Sequence, residues 1–250
     1  MQLSKTAIEK LIDFPLGIIG GAGVRAVNRF LYLLERKITT SGAFRDCHHP
    51  EIILYGATQA PSRSMFLEGK GEDFTQNYIN VAQSLEKCGA KSLCMTCITA
   101  HACWDKIIEK VGIPMINLLD VVAQRIADLD CERIGILCSN GSVIAKVWER
   151  YICARIIYPA ADFQDLLTTG ICLMKKGNDE SAISHYNAVV DHIENLQEMR
   201  GGGIVLGCTD IALFSSQIKS GLPIISVLDV LADYVCECWN TRLKGKVGNL

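Results

Sequence analysis

Short apolar runs alternate along the chain with longer stretches of helical period, the pattern of parallel strands joined by helices. In the first half this predicts strands at Leu16 to Gly20, Ile52 to Ala57, Ser92 to Thr96 and Ile113 to Ile116. Helices are predicted at Val24 to Ile38, at Phe74 to Lys87 with Gly89 closing it, and at Ala100 to Val111. The second half repeats the rhythm, with strands at Arg133 to Cys138, Ile156 to Tyr158, Ile204 to Gly207 and Pro223 to Ser226. Its helices are predicted at Asp120 to Leu129, Ser142 to Ala154 after an Asn140-Gly141 turn, Ser181 to Met199, from Cys208 on to Lys219, and Leu228 to Trp239. The last is expected to pack back on the first half. In each half a strand leads to a Cys, a Thr-containing turn, a helix and a Gly-x-Pro, Gly112-Ile113-Pro114 or Gly221-Leu222-Pro223. The expected architecture is therefore α/β, with two similar doubly wound lobes of flavodoxin-like or Rossmann-like type, parallel sheets and an active site in the cleft between them. Residues 1–14 read as an amphipathic N-terminal extension, 15–117 plus 225–250 as the first lobe and 118–224 as the second.

Composition narrows the function. The chain has 250 residues, of which 49% are hydrophobic and 21% charged, with a formal charge of −2. That balance gives no electrostatic footprint for nucleic acid or an anionic membrane. No run approaches the ~18–20 apolar residues of a membrane span, and residues 1–14 lack the apolar core of a signal peptide. Twelve cysteines in such a chain read as reduced thiols of a cytoplasmic protein, with Cys94, Cys138, Cys153 and Cys172 as core filler.

Two of the cysteines stand where chemistry is expected. Cys97 and Cys208 each follow a strand and precede a helix, and the carboxyl ends of strands are where ligands bind in α/β sheets. A helix N-terminus also lowers a thiol's pKa. Each is followed within two residues by a threonine, Thr99 or Thr209. His101, one helical turn past Cys97, either packs within that turn or tunes the thiol. Arg63, in the turn after the second strand, belongs at the same sheet edge and suits a bidentate carboxylate contact. The Gly20-Gly21-Ala22-Gly23 turn between strand and helix has anion-binding geometry. No acidic residue closes Ile52 to Ala57 to hold a ribose, so nicotinamide and flavin are disfavoured. Cys94 falls within a predicted strand, away from Cys97, and Cys236 and Cys238 diverge at i, i+2, so neither a redox pair nor a zinc site is expected. No cofactor and no metal are implied.

These segments resemble the cofactor-independent aspartate/glutamate racemase family, in its aspartate racemase branch, over about Leu16 to Trp239. The Gly-Gly-x-Gly opening is Gly20-Gly21-Ala22-Gly23, Cys-Asn-Thr-Ala-His is Cys97-Ile98-Thr99-Ala100-His101, and Leu-Gly-Cys-Thr-Glu is Leu206-Gly207-Cys208-Thr209-Asp210. The Pro-x-Arg-Ser/Thr loop is Pro61-Ser62-Arg63-Ser64, the Lys-x-Gly is Lys175-Lys176-Gly177, and the strand-end turn is Ser139-Asn140-Gly141-Ser142. Ile98 replaces a polar family Asn, and Asp210 is one methylene shorter than the family Glu. The resemblance implies that Cys97 and Cys208 flank Cα as thiolate base and thiol acid, exchanging roles with substrate handedness. It gives Arg63 and Lys175 the side-chain carboxylate. Gly21, Ala22, Ile98, Thr99, Asn140, Ser142 and Thr209 line the rest of the substrate site, with His101 and Asp210 in support. Retention of both cysteines favours racemisation over the decarboxylases of the superfamily, which keep one. The implied substrate is a small acidic amino acid and the implied assembly a homodimer; Trp148, Tyr151 and Trp239 fit an interface or ordinary core packing equally well. The competing readings are a non-catalytic dicarboxylate-binding protein, a maleate isomerase or decarboxylase, and a thiol redox protein.

Overall fold

Runs such as Leu16-Gly17-Ile18-Ile19-Gly20 and Gly203-Ile204-Val205-Leu206 show no polar alternation because both of their faces are covered, and every residue in them is buried. The computed structural model describes residues 12–247. It gathers such runs into two four-stranded sheets. The first contains β1 (Leu16–Gly20), β2 (Ile52–Gly56), β3 (Ser92–Met95) and β4 (Met115–Ile116), in the order β2-β1-β3-β4. The second contains β5 (Arg133–Leu137), β6 (Arg155–Ile157), β7 (Gly203–Leu206) and β8 (Ile224–Ser226), in the order β6-β5-β7-β8. All pairings are parallel, so the two sheets share one topology. In both, the winding reverses between the two inner strands, and the crevice beyond their carboxyl ends is the ligand-binding position of an open α/β sheet. Cys97 and Cys208 occupy equivalent places there, just past the ends of β3 and β7.

Side chains of β1 alternate between two packed layers. Leu16 and Ile18 join a core shared with the helix Val24–Thr40 and the closing helix Val227–Val247, while Ile19 joins Phe74, Tyr78, Leu93, Met95 and Cys97 under the helix Thr75–Lys87. The closing helix returns to the first half as expected. Lys37 Nζ lies 2.5 Å from Asp233 Oδ1, and Trp239 Nε1 donates to the His48 carbonyl at 2.7 Å.

The helices depart from the sequence pattern in four places. Ala100 to Val111 is a 3₁₀ turn, Thr99–Cys103, followed by the short helix Trp104–Ile108. The helix expected over Ser142 to Ala154 spans only Asn140–Ile144, with Asn140 and Gly141 inside it, and the chain leaves it at Lys146, whose φ is +49°. After Cys208 the helix is only Thr209–Ala212. A long helix, Ala161–Lys175, stands where none was expected, and the next one, Asp179–Glu194, is shorter than expected, with a separate 3₁₀ turn at Gln197–Met199. One open reading closes and one expectation changes. Trp148 and Trp239 are buried and Tyr151 half-buried, whereas Cys153 and Cys172 are exposed. Trp148 serves as the floor under β7, where a Cβ on Gly207 would lie 2.8 Å from its ring. The extension expected over residues 1–14 falls almost wholly outside the described residues.

Candidate active site

The two strand ends face each other across a cavity of about 270 Å³ whose lining includes Cys97 and Cys208. Ala22, Arg63, Ile98, Thr99, Asn140, Lys175, Thr209 and Asp210 share that lining. Three expected residues stand outside it. Gly21 packs against the Ala57–Thr58 backbone. Ser142 is fully buried one layer behind, and His101 lies beneath Cys97. The sequence reading had not selected Ser62, Ser64, Met65, Glu68, Ser139, Thr168, Ile171 or Cys172, which also line the cavity. Thr168, Ile171, Cys172 and Lys175 have the i, i+3, i+4, i+7 spacing of one helix face, a signal that was readable once a helix was recognised there.

Cys97 meets its neighbours from the first lobe. Arg63 opens the short helix Arg63–Leu67, whose start is capped by Ser62 Oγ accepting from the Met65 N–H. Its Nη1 donates to the Pro61 carbonyl at 3.3 Å, and it lines the same cavity as Cys97. Burial works against the Arg63 charge, but its interactions with Cys97, Tyr78 and Asp210 outweigh that and raise the guanidinium above its ordinary pKa. Cys94 has no share in this. It is paired beside Ile18 within the sheet, and burial pushes its thiol up to about 12, as befits core packing rather than a redox pair with Cys97. His101 uses both ring nitrogens structurally. Its Nδ1 donates to the Cys97 carbonyl at 2.9 Å, and its Nε2 accepts from the Leu118 N–H at 3.3 Å. Burial lowers its pKa to about 4, so the ring is neutral, and it ties the Cys97 turn to the start of the helix Leu118–Ala127.

Cys208 has a different environment. Burial, then the charge of Asp210, pushes its thiol up to about 12, against backbone N–H groups of Asp210 and Ile211 that favour the thiolate. Asp210 is itself buried, and burial raises its pKa against the pull of Lys175, Arg63 and Arg25. Its Oδ2 lies 3.5 Å from Lys175 Nζ, so Lys175 reaches the cavity already paired. Its Oδ1 occupies the space beside Gly23, where a Cβ would lie 2.5 Å away and where φ is +94°.

The lobes are pinned together around this cavity. Thr99 Oγ1 lies 2.9 Å from Ser139 Oγ and 3.1 Å from Ser142 Oγ, and the two serine hydroxyls are 3.0 Å apart. The Gly141 N–H donates to Ser64 Oγ at 3.1 Å, an approach only glycine permits because a Cβ would lie 2.7 Å from Ser64 Cα. Ser64 Oγ in turn donates to Glu68 Oε1 at 2.9 Å. On another side Arg25 forms a bidentate pair with Asp179, at 2.7 and 2.6 Å, and donates to the Met174 carbonyl at 3.2 Å. Among the described residues no cluster of His, Cys, Asp or Glu has the makings of a metal site.

Two parallel-sheet lobes closing on a cavity with a cysteine at each inner strand end place the chain in the class of two-lobed α/β amino-acid racemases. The chain belongs to the Asp/Glu/Hydantoin racemase family, whose model matches residues 19–235. Its structure is similar to the aspartate racemase of Picrophilus torridus, at TM-score 0.74 and 21% identity, covering 90% of this chain and 94% of that one. It is also similar to glutamate racemase from Thermus thermophilus in complex with β-chloro-D-alanine, at TM-score 0.66 and 17% identity, covering 94% and 82%. In sequence it is 19% identical over 220 residues to the broad specificity amino-acid racemase RacX of Bacillus subtilis (strain 168), covering 87% of this chain and 94% of RacX.

Proposed function

We propose that the protein interconverts the enantiomers of an acidic amino acid, aspartate first and glutamate second, without a cofactor. The observation that carries this reading is that Cys97 and Cys208 line one cavity from opposite lobes. A thiolate on one side removes the Cα proton while the thiol on the other delivers its own proton to the opposite face. The product leaves the two cysteines with exchanged protonation states. Charge that develops on the α-carboxylate is met by the hydroxyls of Thr99, Thr209 and Ser139 and by N–H groups at the strand ends, with Ala22, Ile98 and Asn140 shaping the same wall. Arg63 and Lys175 select the side-chain carboxylate, Lys175 sharing its charge with Asp210. Glutamate differs by one methylene, a difference worth only about 1–3 kcal/mol in a pocket. The relatives named as aspartate racemase and as glutamate racemase support the acidic class.

Among the described residues no helix is long and apolar enough to cross a membrane. The cytoplasm is the proposed location, and a homodimer the proposed assembly. Chiral analysis of L-aspartate and L-glutamate incubated with purified protein tests the activity. The D-enantiomer is expected from at least one of them. Cys97→Ala and Cys208→Ala are each expected to lose at least about a hundredfold in rate, as removal of an acid or base does. A single variant with unchanged rate contradicts its cysteine's role.

A further inference from the structure

A buried hydroxyl behind the cavity is not used by the chemistry above. Tyr78, on the helix Thr75–Lys87, is fully buried at the end of an aromatic series, with Phe66 against Phe74 at 5.6 Å and Phe74 against Tyr78 at 5.2 Å. Its hydroxyl has no hydrogen-bond partner. An unsatisfied buried hydroxyl is unfavourable, and native cores rarely leave one without a reason. Tyr78 shares one buried cluster with Cys97, and its hydroxyl interacts electrostatically with Cys97 and Arg63. A thiol accepts a hydrogen bond weakly, whereas a thiolate accepts one strongly.

We propose that Tyr78 is a positioning residue that donates its hydroxyl proton in a hydrogen bond to Cys97 as the thiolate, making Cys97 the resident base of the free enzyme and Cys208 the resident acid. The inference rests on the racemase reading only for the words base and acid; the hydrogen bond itself is independent of it. Burial and then Cys97 hold the Tyr78 ionisation well above its ordinary value, so its proton stays on oxygen and is available for donation. The groups facing Cys97 sort by sign. Arg63 from the helix Arg63–Leu67 and Tyr78 from the helix Thr75–Lys87 favour its thiolate, while Asp210 and Cys208 stand across the cavity. His101 reaches the Cys97 backbone carbonyl and the Leu118 N–H.

The second lobe supplies an internal comparison. Tyr186, on the helix Asp179–Glu194, is also fully buried with an unpartnered hydroxyl and senses charge at Cys208. Its ring is held against Gly170, where a Cβ would meet it at 2.7 Å. Asp210 beside Cys208 adds negative charge where Arg63 beside Cys97 adds positive. The two thiols therefore face neighbours of opposite charge before any substrate binds.

The experiment is the pH dependence of iodoacetamide alkylation at Cys97, read by peptide mass spectrometry so that the other cysteines do not interfere. Tyr78→Phe keeps the ring and removes only the hydroxyl. Its Cys97 midpoint is expected to rise by about one pH unit, a roughly tenfold loss of thiolate at neutral pH. Tyr186→Phe is expected to leave the Cys97 midpoint unchanged, and circular dichroism checks that both variants fold. An unchanged Cys97 midpoint in folded Tyr78→Phe overturns the proposal, as does a Cys208 that alkylates at lower pH than Cys97 in the native protein. A shifted midpoint in a protein that racemises nothing leaves this inference standing and removes the proposed function instead.

Discussion

At the scale of single residues the motif residues were legible, but the surroundings that tune them were not. Cys97, Cys208, Arg63 and Asp210 announce themselves by their place at strand ends. Tyr78 lies on a helix outside every motif, and Glu68 caps the short helix that Arg63 opens; the fold brings both to the site. His101 shows how a sequence neighbour acquires a structural role. Its value falls to about 4 from 6.5 on burial. Between those values the unfolded chain binds a proton that the folded protein refuses, so this contribution is complete above about pH 6.5 and is lost as pH falls toward 4. The integrated effect is about 3 kcal/mol. Urea unfolding of the native protein and His101→Asn at pH 7 and pH 5 is expected to show a steeper loss for the native protein; equal losses contradict the assignment. Gly23→Ala is expected to lose roughly 1–3 kcal/mol of stability and to lower activity, because it forces a side chain at φ +94° against Asp210. A melting temperature unchanged from the native protein contradicts that.

At the scale of elements, the strands followed from continuous apolar runs, since a strand covered on both faces has no other way to appear in sequence. The helices were less legible because tertiary contacts decided their lengths. Gly170 reads as a break in Ala161–Lys175, yet it is there to admit the Tyr186 ring. Lys146 carries no mark of the left-handed backbone that ends Asn140–Ile144. The short helices after both cysteines offer little macrodipole, which shifts the burden of charge stabilisation to Arg63 and local N–H groups. Arg25 and Asp179 tie Val24–Thr40 to Asp179–Glu194 beside the cavity. The pair is partly exposed, so breaking it is expected to lower stability by at most about 1 kcal/mol. Its larger effect is on access: Asp179→Asn is expected to alkylate faster at buried Cys97 and Cys208 and to raise KM more than it lowers kcat. Unchanged alkylation rates contradict a clamping role.

At the scale of the whole molecule, two lobes with one topology were legible in the repeated strand, cysteine and Gly-x-Pro pattern, whereas the pattern left Trp148 and Trp239 open between interface and core. Trp148 and Trp239 are core residues, and the exposed large apolar side chains include Leu54 and Tyr55. Leu54 and Tyr55 lie on β2, an edge strand of the first sheet, and such an edge invites a second copy. Light scattering is expected to give twice the 27.4 kDa chain mass, and Leu54→Lys with Tyr55→Glu the monomer; a monomeric native protein contradicts the proposed dimer. The most direct measurement of the central claim is proton exchange at Cα in D2O, with purified protein, no added cofactor, and L-aspartate or L-glutamate. Because the donor thiol carries a solvent-derived proton, the D-enantiomer is expected to form with deuterium at Cα from its first appearance. Absence of Cα deuterium with both amino acids, or a D-product that retains the substrate's proton, contradicts two thiols acting from opposite faces.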